Sequence, residues 1–208
     1  MWEQLKRVIK PNGAIVMTAS QPFTTTLIAS NMKMFKYCWV WEKSSPSGFA
    51  HAKNMPLKCY EDVVVFSYGV IAHASQSSNR MPYFPQGLIY SPKKCRNGKR
   101  HKDESAFGNR PSHKKEYTQE YTNYPRNVQI FKNEASVVHP TQKPVALMEY
   151  LIRTYTNEGE TVLDFTMGSG TTGVACVNQN REFIGIEKEA EYCQIARARI
   201  EKAHTEHK

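Results

Sequence analysis

The sequence predicts an α/β fold of the doubly wound kind, and three observations carry that expectation. Short apolar runs rich in β-branched residues alternate with helical patterns along much of the 208 residues, as in a sheet with helices on its faces. The stretch 162–175, VLDFTMGSGTTGVA, reads as a strand that ends in a glycine turn and opens a helix. Glu187 closes the following strand, 23 residues after Asp164, so two consecutive strands each end in an acid beside a turn.

Residues 2–10 fit a short helix with Trp2, Leu5, Val8 and Ile9 on one face, and Lys10-Pro11-Asn12-Gly13 stops it. Residues 14–18 (AIVMT) read as a buried strand. Helix, turn and strand form the second half of a βαβ unit whose first strand is not in the sequence, so the chain reads as beginning inside a domain. A threonine-rich helix is expected around 23–34. Residues 37–42 (YCWVWE) are a strand by aromatic and β-branched content, 43–57 a loop, and 62–68 (DVVVFSY) a second buried strand. After His139-Pro140-Thr141-Gln142-Lys143-Pro144, residues 145–155 place Leu147, Tyr150, Leu151 and Tyr155 on one helical face. Asn157-Glu158-Gly159-Glu160 closes that helix. A strand at 161–165, a helix at 171–179, a strand at 181–187 and a helix at 189–203 complete the pattern; the last helix sets Tyr192, Ile195, Ala196, Arg199 and Ile200 on one side.

The composition, 40% hydrophobic and 23% charged, is that of a soluble globular protein. No apolar run approaches the ~20 residues that span a bilayer, and the first seven residues lack a signal core, so no membrane and a cytoplasmic location are expected. The five cysteines are scattered and never spaced CxxC, which points to free structural thiols and no metal site. Net charge is +9, and residues 70–132 hold nearly all of it: twelve lysines and arginines against four acids. Such a concentration suits a polyanion, nucleic acid foremost, or else a solvated loop. Five tyrosines and three phenylalanines are interleaved with these charges, which is unlike full disorder. The segment reads as an irregular, partly ordered basic insertion that gains order on binding.

Gly168 and Gly170 allow a backbone to approach a ligand at the carboxyl end of a strand, where doubly wound sheets bind nucleotides. No lysine follows in the manner of a Walker phosphate loop. An acid at Glu187 can accept hydrogen bonds from both ribose hydroxyls. The pair therefore suits an adenosine-type ligand without a pyrophosphate, such as S-adenosyl-L-methionine. The alternative is a structural glycine turn beside a solvated acid.

The runs HPTQKP (139–144), VLDFTMGSGTTG (162–173) and FIGIEKEAEY (183–192), in that order, resemble the DNA N6-adenine/N4-cytosine methyltransferase family, in its circularly permuted class. The resemblance implies a Rossmann-like S-adenosylmethionine-dependent methyltransferase fold, permuted so that the cofactor half comes last. Residues 1–69 are then the remainder of the catalytic half, 70–132 a target-recognition-like insertion, and 133–208 the cofactor half. By the same resemblance Asp164, Phe165, Thr166, Gly168, Ser169 and Gly170 line the cofactor pocket and Glu187 holds the ribose. His139, Thr141, Gln142 and Lys143 border the methionine end; as a second role, Thr141 can cap the helix that follows, with Pro144 in its first turn. Phe165 and Thr166 depart from the common Asp-Pro-Phe of the family. Double-stranded DNA is the implied partner, with Lys93, Lys94, Arg96, Lys99, Arg100, Lys114 and Lys115 as phosphate contacts.

The family also carries an (Asp/Asn/Ser)-Pro-Pro-(Tyr/Phe) tetrapeptide that binds the target amine and stacks on the flipped base. No Pro-Pro occurs in this sequence, and the nearest string, Ser45-Pro46-Ser47-Gly48, follows the wrong strand. The chain thus reads as an N-terminally incomplete member, from a misplaced start or a shortened prophage gene, with no catalytic residue assigned and methyl transfer impaired. The missing strand leaves a sheet edge open to a homodimer or to coverage by residues 70–132. A non-catalytic DNA-binding module and a methyltransferase acting on RNA or a small molecule are the rival readings.

Overall fold

A computed structural model describes residues 1–71, 78–96, 116–134 and 137–207. The first half builds a mixed sheet from β1 (Ile15–Ala19), β2 (Phe35–Ser47), β3 (Lys58–Phe66) and β6 (Val128–Phe131), in the order β1-β3-β2-β6. The apolar run of β3 explains why this sheet has two covered faces. Successive strand side chains point to opposite sides. Val63 and Val65 meet Trp39, Trp41, Leu147, Tyr150, Leu151 and Tyr155 on one side, while Val64 and Phe66 meet Leu5, Ile15, Leu27 and Met34 on the other. Helices α1 (Trp2–Val8) and α2 (Phe23–Ser30) cover the second side. Helix α2 stops four residues short of the expected 34, and residues 31–34 form a turn that returns the chain to β2.

Strand β2 runs past its expected end into the 43–57 loop, as far as Ser47, while β3 starts four residues before the expected 62 and ends at Phe66. Beyond the core they continue as a two-stranded ribbon, with Glu42 opposite Tyr60 and Ser47 opposite Lys58 across a bulge. The backbone ladder holds this ribbon, not a buried face, so its sequence is polar; Pro46 lies within the irregular stretch, where a missing donor costs little.

The second half forms a parallel pair, β7 (Thr161–Asp164) and β8 (Glu182–Gly185), joined through α4 (Thr171–Asn178) and followed by α5 (Ala190–Glu206). Helix α3 (Val145–Tyr155) is the beam between the halves. Its Leu147, Tyr150, Leu151 and Tyr155 enter the core of the mixed sheet, and its Ile152 packs with Ala175 and Cys176 of α4. The Tyr155 hydroxyl accepts from the Trp39 indole at 2.6 Å and shares a hydrogen bond with Tyr37 at 3.0 Å. At the amino ends of the strands, Lys10 before β1 meets Glu160 before β7 at 2.6 Å. Among the described residues β1 pairs only with β3 and β7 only with β8.

Part of the 70–132 stretch is regular where the sequence shows no sustained period. Strands β4 (Ile89–Arg96) and β5 (Glu116–Thr122) form an antiparallel hairpin, with Tyr90 edge-on to Tyr121. Residues 81–84 lie on the core: Met81 is buried, Tyr83 stacks on Trp39, and the Phe84 N–H donates to the Thr154 carbonyl. The segment's last strand, β6, runs parallel to β2 and covers that edge of the sheet, while β1, at the other edge, pairs with β3 alone among the described residues. The five thiols are free, and burial pushes the Cys176 thiol up to about 12, where it is inert. No helix among the described residues is long and apolar enough to cross a membrane.

Candidate functional site

The tips of β7 and β8 are tied together by their own backbone. The Ile186 N–H donates to the Asp164 carbonyl at 2.9 Å, and the Met167 N–H to the Ile186 carbonyl at 3.1 Å. This brings Asp164 and Glu187 to one rim, at the carboxyl ends of neighbouring parallel strands. Asp164 braces the turn: one carboxylate oxygen accepts from the Thr166 N–H (3.0 Å), the other from the Thr172 hydroxyl (2.6 Å). Glu187 reaches across, accepting from the Gly168 N–H at 2.9 Å and from the Glu189 N–H at 3.0 Å. These main-chain donors, Glu189 first, hold its carboxyl below the ordinary value, so it is ionised at neutral pH. An ionised carboxylate offers about four acceptor positions. The N–H groups of Glu189, Gly168 and Lys188 engage part of that capacity, and the rest is open to a ligand hydroxyl.

The glycine turn needs its glycines. Gly168 and Gly170 have φ of 52° and 78°, in the left-handed region, and Gly170 precedes the first residue of α4. With Gly173 they complete a G-x-G-x-x-G spacing, the third glycine lying where α4 meets Ile200 of α5 and Phe183 of β8. Arg199, on the otherwise apolar stripe of α5, donates to the Ser169 carbonyl at 2.6 Å and to the Ser169 hydroxyl at 3.0 Å. It fastens the turn from behind. The sequence shows the signal, a lone cation among Tyr192, Ile195, Ala196 and Ile200, but not its target.

The 139–144 loop lies over this turn. The His139 ring sits against Gly168 and edge-on to Tyr192, centroids 4.3 Å apart. Gln142 accepts from the Ser169 hydroxyl at 3.3 Å. Thr141 does not cap α3: its hydroxyl lies 3.1 Å from His139 Nδ1, and the Val145 N–H is capped instead by the Glu134 carboxylate at 2.8 Å. Lys143 turns away from the strand tips to Glu61 on β3, at 2.9 Å, and Lys43 of β2 meets the same carboxylate at 2.7 Å. Burial alone would raise the Glu61 carboxyl; the two lysines outweigh it and hold it below its ordinary 4.5. Phe165 packs with the core around Leu5 and Ile15, and Thr166 is exposed at the rim.

Of the expected phosphate contacts, Lys93, Lys94 and Arg96 stand on β4, with Tyr90 and Tyr121 exposed beside them. Arg96 pairs with Glu116 at 2.7 Å on the open surface. Lys99, Arg100, Lys114 and Lys115 lie outside the described residues.

Fold and site together define an α/β protein whose two parallel strands end in an acid-and-glycine rim. More narrowly, the chain belongs to the DNA methylase family, whose profile matches residues 1–198. Among solved structures it is similar to M1.HpyAVI in complex with SAM, 27% identical with a TM-score of 0.61, covering 95% of this chain and 78% of that one. It also shares the fold of the cytosine-N4-specific PvuII DNA methyltransferase, 16% identical with a TM-score of 0.63, covering 95% of this chain and 71% of that one. Among curated relatives, the Type II methyltransferase M2.DpnII of Streptococcus pneumoniae is 54% identical over 63 residues, 30% of this chain and 24% of that protein. The Type II methyltransferase M.BglI of Bacillus subtilis is 48% identical over 63 residues, 30% of this chain and 18% of that protein. The matched stretches thus span about a quarter or less of those relatives' lengths.

Proposed function

We propose that this chain is an S-adenosylmethionine-dependent DNA methyltransferase, permuted in order, directed at the exocyclic amine of adenine N6 or cytosine N4. The observation that carries this is the bridge from Glu187 to the Gly168 N–H, which sets an ionised acid with spare acceptors beside a left-handed glycine turn. Family membership and the M1.HpyAVI–SAM likeness support it. S-adenosylmethionine, when bound, supplies an electrophilic methyl group. Glu187 would hold the ribose hydroxyls; His139 and Gln142 from above the turn, and Ser169 within it, would border the other end of the ligand. Asp164 keeps the turn in shape through Thr166 and Thr172. Strand β4 would carry the duplex by its lysines, and the site of action would be the cytoplasm.

The same reading makes transfer by this chain alone weak. No Pro-Pro tetrapeptide is present to grip the target amine, and positioning supplies much of the rate in such a direct displacement. That absence favours a second reading, a DNA-binding module without turnover. Calorimetry separates the two. Binding of both S-adenosylmethionine and duplex DNA, with the cofactor lost in Glu187→Ala, supports the first; binding of DNA alone supports the second. A radiolabelled methyl-transfer assay on mixed-sequence DNA is expected to give little or no product, and clear turnover would overturn the impairment.

A further inference from the structure

We propose that Glu61 is a positioning residue for the site at the strand tips: from a different sheet, it sets the 139–144 loop over the glycine turn by gripping Lys143. This deepens the proposed function and rests on it. Glu61 lies on β3, opposite Trp41, towards the rim where β2 runs out. Lys43, Glu61 and Lys143 are all mostly shielded, with side chains 13%, 15% and 16% exposed. One carboxylate thus holds two ammonium groups, one from the sheet and one from the loop, at 2.7 and 2.9 Å.

Two of the loop's other side chains face the turn: His139 at Gly168, and Gln142 at Ser169. Lys143 fastens the opposite end of the loop, one residue before Pro144 and α3. Without the Glu61 charge, Lys43 and Lys143 become two like charges in one half-buried place, and repulsion drives the loop outward. Glu61 therefore does more than contribute one ion pair. It decides whether His139 and Gln142 stay seated over Gly168 and Ser169, although it touches neither.

The test compares Glu61→Gln, Lys43→Met and the double variant by two readouts in the unmodified full chain. The first is hydrogen exchange at the amides of residues 139–144 and 168–170 without ligand; the second is calorimetry with S-adenosylmethionine. Glu61→Gln should speed exchange in both segments and weaken binding about tenfold, the weight of one charge-assisted hydrogen bond. Lys43→Met keeps the Glu61–Lys143 pair and should leave both readouts within about twofold. The double variant, freed of the repulsion, should recover part of the loss. Should Glu61→Gln fail to fold, Glu61→Asp keeps the charge and shortens the reach, with the same direction expected. Wild-type exchange and affinity in the Glu61 variants, or an equal loss in Lys43→Met, overturns the proposal. If the wild-type chain binds no S-adenosylmethionine, the functional reading fails, and the exchange data alone decide the role of Glu61.

Discussion

Gly170 shows how much one backbone angle constrains here. Its φ of 78° is strained for any other residue, and an added Cβ would sit 2.8 Å from the Ala196 Cβ and 2.9 Å from its Cα. Gly170→Ala is therefore expected to cost about 2–4 kcal/mol, from the left-handed angle and the overpacking together, read as a lower urea midpoint. The acids at the two ends of the fold make a pH prediction. Burial raises the Glu61 carboxyl and two lysines more than reverse it; Lys10, first, lowers that of Glu160. Both folded values lie below the ordinary 4.5, so each group adds stability that is full above that pH and is lost as the pH falls through the lowered value. The urea midpoint should hold between about pH 7 and 5 and drop below about 4.5. Glu160→Gln should flatten part of that drop, and an unchanged acid profile in the variant would refute the assignment. At this scale the sequence was legible where spacing alone sufficed, as with Asp164, Glu187 and the glycines. It placed Lys143 beside the cofactor but gave no sign of its partner, because the ion pair to Glu61 joins residues 82 apart in the chain.

Among the elements, α3, α4 and α5 follow from the 3.6-residue period, because each buries a stripe: Leu147 and Tyr150 in α3, Ala175 and Cys176 in α4, Ala196 and Ala203 in α5. Strands β4 and β5 escape the same reasoning. Their side chains are almost all exposed, so neither alternation nor burial marks them, and the pairing of Lys93 with Gln119 and Lys94 with Thr118 lives in the backbone. The polar end of β2 escapes for the same reason. The exposed face of β4 offers a direct measurement. If the hairpin carries duplex DNA, replacing Lys93, Lys94 and Arg96 singly by alanine should each lower the log–log salt slope of binding by ~0.9. Arg96, already paired with Glu116, should give the smallest change. Slopes unaltered in all three variants would remove β4 from the interface.

Apart from the β4–β5 hairpin, the described residues form two sheets on one helical beam. Helix α3 joins them, Lys10 and Glu160 clip their amino ends, and the edges of β1 and β7 have no strand partner among the described residues. Open edges of this kind invite pairing with another chain. Light scattering should therefore show a mass that climbs with concentration above that of one chain; a constant monomer mass with a folded spectrum would show that side chains or solvent suffice. The doubly wound class was readable from the alternating pattern and the glycine turn. The division into two sheets was not, since which strand edges meet depends on tertiary neighbours rather than on any local run.

The hairpin excursion leaves the body after Phe84, whose N–H bonds to the Thr154 carbonyl, and rejoins it where the Val40 N–H bonds to the Asn127 carbonyl. Both ends are pinned, so the stretch between them is free to vary in size. Doubling its length would cost only ~0.6 kcal/mol of closure entropy. A hairpin of different length and sequence can thus replace this one while the sheet on either side of it is kept.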